Sequence, residues 1–135
     1  MLPEIYAEMY LKFENDFDVN TITEILQIQP YKCVNRIDTR INPITKQHNP
    51  GYWMLKSRTF NNFDAKYAID DLISNIEDKV PLIKEICTAN NGEVAFEIVP
   101  SFYYKDTPAI YFKRKFLRLV SYLDAEMEID MYTCY

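Results

Sequence analysis

From Ile5 to Phe13 apolar and polar residues alternate without a break: Ile5, Ala7, Met9, Leu11 and Phe13 share one face, and Tyr6, Glu8, Tyr10 and Lys12 the other. A period of two predicts a strand with one dry and one wet face. In NDFDVNTITEILQIQP the period changes, because Ile22, Ile25 and Leu26 stand at i, i+3 and i+4. Asp18 or Asn20 can cap the helix this implies, and Pro30 ends it by pushing the preceding residue out of helical space. YKCVNRI reads as a short strand. DTRINPITKQHNP, residues 38–50, holds two prolines and two asparagines with little periodicity and reads as a long loop. GYWMLKS returns to alternation, with Trp53 and Leu55 on one side and Tyr52, Met54 and Lys56 on the other.

The longest helical stretch carries an apolar stripe of Ala65, Ala68, Ile69, Leu72, Ile73 and Ile76, with Asp64 as its N-cap. Pro81 has no N–H to donate, which predicts a break near Asp78 and a second helix through Cys87, closed by Asn91-Gly92. EVAFEIVP is a strand with Val94, Phe96 and Ile98 facing one way. After a turn at 105–108, residues 109–112 read as a brief strand. KRKFLRLVSYL reads as a helix with Phe116, Leu119, Val120 and Leu123 inside and Lys113, Arg114, Lys115 and Arg118 outside. AEMEIDMY closes the chain as a strand, with Glu126, Glu128 and Asp130 on its wet side and Met127, Ile129 and Met131 facing the helices.

Amphipathic strands separated by helices predict an α+β fold: a mostly antiparallel sheet of about four to five strands with helices packed on one face, ferredoxin-like in spirit. The chain of 135 residues has the length of one domain, 1–135. The second sheet face is then open, and it carries Tyr6, Glu8 and Tyr10 from the first strand and Glu126, Glu128, Asp130 and Tyr132 from the last.

Composition adds a character to that face. The 11 tyrosines, 8 phenylalanines and single tryptophan make 15% of the chain, and tyrosine suits half-buried sheet faces and interfaces. A net charge of −5 argues against nucleic acid as a partner and for a basic protein. The Lys113 to Lys115 cluster reads as a solvated helix face pairing with nearby carboxylates. Neither a signal-peptide pattern at MLPEIYAEMY nor an apolar run long enough to span a membrane is visible, which predicts a cytoplasmic protein with no membrane partner. Cys33, Cys87 and Cys134 have no paired spacing and only His48 to help them, so they read as reduced thiols without a zinc site.

Three stretches also carry a resemblance. Phe17, Asp18, Ile22, Thr23, Leu26, Ile28 and Pro30, then Gly51 and Trp53, then the acidic strand ending in Asp130 and Tyr132 resemble the pattern of the bacterial family catalogued as domain of unknown function 4279. Gln27 stands where that pattern often has glycine, and no Lys-Gly pair follows Pro30. The resemblance implies the fold and a bacterial origin and transfers no catalytic residue.

Two functional readings remain. Exposed carboxylates among tyrosines form a surface for a basic partner, because charge steers encounter and rings supply contact area. This favours a small acidic protein-binding module of the immunity type, which neutralises a basic toxin through Tyr6, Glu8, Tyr10, Glu126, Glu128, Asp130 and Tyr132. Trp53 is either a core anchor or a rim contact of that surface. An open aromatic face also admits a homodimer. The alternative is a metal- or small-ligand-binding enzyme using Glu126, Glu128 and Asp130, although three carboxylates in line along one strand diverge instead of converging on an ion. No catalytic residue, metal ligand set or cofactor is assigned.

Overall fold

The computed structural model describes residues 1–134. Strand β1 (Glu4–Phe13) is the centre of the sheet, and its five odd-numbered residues from Ile5 to Phe13 are fully buried, as the alternation requires. Helix α1 (Asn20–Leu26) follows and buries Ile22 and Leu26, while Ile25 lies at the edge of the stripe and is exposed. Asp18 caps from two residues upstream: its Oδ1 accepts the Asn20 backbone N–H at 3.0 Å. The helix ends at Gln27, which takes a left-handed conformation with φ 56°. That geometry is one glycine adopts without steric cost.

Strands β2 (Lys32–Val34) and β3 (Gly51–Lys56) pair antiparallel, and β3 pairs in turn with β1. The 38–50 segment between them is more ordered than its composition implies. A bridge joins Ile41 to His48, the Asn42 side chain accepts the N–H groups of Ile44 and Thr45, and the His48 ring meets the Thr39 carbonyl at 2.8 Å. A carbonyl only accepts, so Nδ1 of His48 carries the proton.

A two-residue strand β4 (Phe60–Asn61) pairs with the start of β1. Helix α2 (Lys66–Ile76) buries Ala68, Ile69, Leu72, Ile73 and Ile76. Asp64 accepts the Lys66 N–H at 2.9 Å, the same upstream cap that Asp18 provides. A 3-10 turn at Glu77–Lys79 makes the break, and α3 (Val80–Asn90) begins with Pro81 in its first turn, where a missing N–H is harmless. Asn91 at φ 57° and the Gly92 N–H bonded to the Cys87 carbonyl close it.

Strand β5 (Glu93–Tyr103) lies antiparallel to β1, with Leu11 opposite Val94, Met9 opposite Phe96 and Ala7 opposite Ile98. Residues 109–112 form no strand; Ala109 makes a single bridge to Asp64. Helix α4 (Arg114–Tyr122) packs Phe116 into the core, and Lys113 and Lys115 pair with Asp70 at 2.8 Å and Glu77 at 2.6 Å. The chain then returns to the sheet as β6 (Glu126–Ile129) and β7 (Tyr132–Cys134), both parallel to β5.

The α+β class holds, but the sheet has seven strands and is mixed, not a mostly antiparallel sheet of four to five. The principal order is β2-β3-β1-β5-β6. The reason is the α4 crossover: a helix between two strands carries the chain back to the end it left, so the next strand must run parallel. β4, two residues long, was invisible to periodicity, and the closing strand, read as one, is split at Asp130 and Met131 into β6 and β7. One hydrophobic cluster, drawn from the dry face of the sheet and from all four helices, fills the space between them. Among the described residues no helix is long and apolar enough to cross a membrane, and Cys33, Cys87 and Cys134 are free thiols.

Candidate functional site

The even-numbered residues of β1 lie on the wet face, and the strand register decides what stands beside them. Glu8 is opposite Lys56 on one side and Glu97 on the other, and Glu97 is opposite Glu128. One carboxylate from each of β1, β5 and β6 therefore forms a row across the sheet, at the roughly 5 Å spacing of neighbouring strands. The acidic row runs across strands, not along β6.

Like charges at this spacing repel, and the groups respond. Burial pushes the Glu97 carboxyl up, helped by the charges of Glu8, Glu128 and Asp130 and by a hydrogen bond with Asp130, to about 7 from an ordinary 4.5. Burial also raises Glu8, against the opposing pull of Lys56 and Lys32. The tyrosines follow the same sense: burial and then Glu8 and Glu97 raise Tyr6, and burial and then Glu128 and Glu97 raise Tyr10. Tyr132 donates its hydroxyl to Asp130 Oδ2 at 2.9 Å, and that bond raises its own pKa.

Within this face a shallow depression of about 330 Å³ is lined by Glu8 and Tyr10 of β1, Lys32 of β2, Tyr52 and Met54 of β3, Glu97 of β5 and Glu128 of β6. Tyr10 and Tyr52 meet edge to face with ring centroids 5.7 Å apart. One row along, the Lys56 ammonium sits 4.1 Å from the Tyr6 ring centroid.

Of the residues picked out from sequence, Glu8, Tyr10 and Glu128 meet in the depression, and Asp130 reaches it through Glu97. Tyr6 and Tyr132 lie on the same face but do not line it. Glu126 stands opposite Ala95 and lines a separate hollow with Lys84, Cys87 and Asp124. Trp53 is fully buried and its Nε1 donates to Thr23 Oγ1 at 3.0 Å, so of its two readings it is the core anchor and offers no surface to a partner. Ile129 and Met131, expected against the helices, are 42% and 60% exposed: Ile129 ends the edge strand β6, and Met131 lies in the break before β7.

Glu97, the centre of the row, was missed. The signal was present: if Val94, Phe96 and Ile98 face the core, then Glu93, Ala95 and Glu97 face outward. What the chain order cannot say is that β5 sits between β1 and β6. Among the described residues no three of His, Cys, Asp and Glu are gathered to hold a metal ion.

A family model described as Domain of unknown function (DUF4279) matches residues 3–134. The chain belongs to that family. In this DUF4279 protein the match spans every element from β1 to β7, so the carboxylate row and its tyrosines lie wholly within the family unit. No curated protein and no solved structure matches the chain.

Proposed function

We propose that this DUF4279 protein is a small acidic binding module, of the immunity type, whose open sheet face receives a basic protein. The observation that carries the reading is the row Glu8, Glu97, Glu128, extended by Asp130 and bordered by Tyr6, Tyr10 and Tyr132. A fold gains nothing from lining up carboxylates across adjacent strands, and direct like-charge neighbours are destabilising. A cationic partner removes that penalty on binding, and the rings give it contact area with little conformational entropy to lose.

The test is capture by the tagged protein from a lysate of its own cells at low and high salt. Wild type is expected to hold one basic protein at low salt. The triple variant Glu126→Lys, Glu128→Lys and Asp130→Lys, on edge strand β6 and the residue that follows it, is expected to lose it while still melting cooperatively. Undiminished capture by the triple variant, or no basic protein held by wild type, overturns the reading.

A further inference from the structure

Glu8 is 6% exposed, yet it accepts no hydrogen bond and forms no ion pair among the described residues. Among the described residues no fully buried side-chain oxygen lacks a partner, so the Glu8 carboxylate keeps contact with the water of the open face while the burial around it disfavours its charge. Here the nearest cations act only at a distance. Lys56 is opposite Glu8 in the register but places its ammonium over the Tyr6 ring, and Lys32 stands on the far rim. The Glu8 side chain opens instead into the depression it shares with Glu97 and Glu128.

We propose that this depression is a receptor for one guanidinium or alkylammonium group, the tip of an arginine or lysine side chain of the partner. Glu8, Glu97 and Glu128 take the charge, and Tyr10, Tyr52 and Met54 line the stem. The inference rests on the reading of the open face as a docking surface for a basic protein, and it names the anchor point on that face.

Three features select an organic cation. The volume, about 330 Å³, lies at the lower end of small-ligand sites, which run from roughly 300 to 1,000 Å³. The walls are aromatic and apolar on the β3 side, where an edge-to-face tyrosine pair can meet a cation through its ring faces. The carboxylates enter from one side as a row, the arrangement a planar fork or a three-donor ammonium can bridge. Lys56 over Tyr6 is the same chemistry supplied from within the chain, one row away. Lys32 on the rim opposes a second cation and limits the site to one.

The probe is agmatine, which carries both an alkylammonium and a guanidinium, titrated into the full-length protein and followed by the ring resonances of Tyr10 and Tyr52, with sodium chloride at matched ionic strength as control. Saturable shifts confined to these rings are expected. Glu8→Gln and Glu97→Gln should each weaken binding by about tenfold, and Lys32→Met should tighten it. Binding should weaken from pH 8 to pH 5.5 as Glu97 takes up a proton. The other groups facing it are Glu8 and Tyr10 on β1, Glu128 and Asp130 at the β6 edge, and the lysines Lys56 and Lys32. Should Glu8→Gln fail to fold, Glu128→Gln on the exposed strand and Lys32→Met test the same point.

An absence of saturable shifts, or equal affinity in wild type and the glutamine variants, overturns the receptor. Capture of a basic protein without agmatine binding removes the receptor and leaves the partner reading standing. Agmatine binding that depends on Glu8, with no basic protein captured, removes the partner reading and leaves a site for a free organic cation.

Discussion

Glu97 faces carboxylates on both neighbouring strands, and its protonation is therefore tied to the folded state. In an unfolded chain its carboxyl titrates near 4.5; in the fold it titrates near 7, because burial and then Glu8, Glu128 and Asp130 disfavour its charge. Between those values the folded state binds a proton that the unfolded state has lost. The resulting stability is full below pH 4.5, declines as pH rises, and is gone above about 7. Glu97→Gln should accordingly be more stable than wild type by about 1–2 kcal/mol at pH 8, a figure reduced for partial solvation, and equal to it near pH 4. Urea titrations of both proteins at the two pH values check this, and a constant difference across pH would contradict it. Gln27 makes a second point at this scale. Its left-handed φ of 56° is the backbone reason a glycine suits the position, a reason the letters alone do not disclose.

At the scale of elements, the long strands and helices were legible because each buries one face for its whole length. β1 shows this best, since all five predicted inward residues are fully buried. The α2 stripe behaves likewise, and the break before Pro81 follows from a missing donor. Short elements were legible only in part: β2 lies within YKCVNRI, read as a short strand, but β4 and the separate β7 were not seen. β4 has two residues and β7 three, too few to show a period, and both exist only because β1 and β5 present unpaired edges to them. The join from α3 to β5 depends on a close approach: a Cβ built on Gly92 would lie 2.5 Å from Cε1 of the buried Phe13 ring. Gly92→Ala should therefore cost about 1–3 kcal/mol through overpacking, read as a lower urea midpoint with an unchanged slope. An unchanged midpoint would mean that Phe13 moves aside freely, against its full burial and its ring contact with Phe17.

For the whole molecule, one core joins the dry face of the sheet to all four helices, and Trp53 lies within it. Because no element has a core of its own, unfolding is expected in a single transition, with Trp53 fluorescence and far-ultraviolet circular dichroism superimposing in urea. Separate midpoints would divide the chain into two units. The sequence by itself determined most of the residues that go inside along the long elements, Ile25 and the edge residue Ile129 apart, and the acidic, tyrosine-rich character of the open face. These are local properties, readable from spacing because period two and period 3.6 each project one set of side chains to one side. Only the tertiary structure decided that β5 lies between β1 and β6, that β6 runs parallel to it, and that Glu8, Glu97 and Glu128 meet in one row. Those facts rest on pairings between residues 31 to 97 positions apart in the chain, set by which edges the crossover helix leaves open, and no local pattern records them.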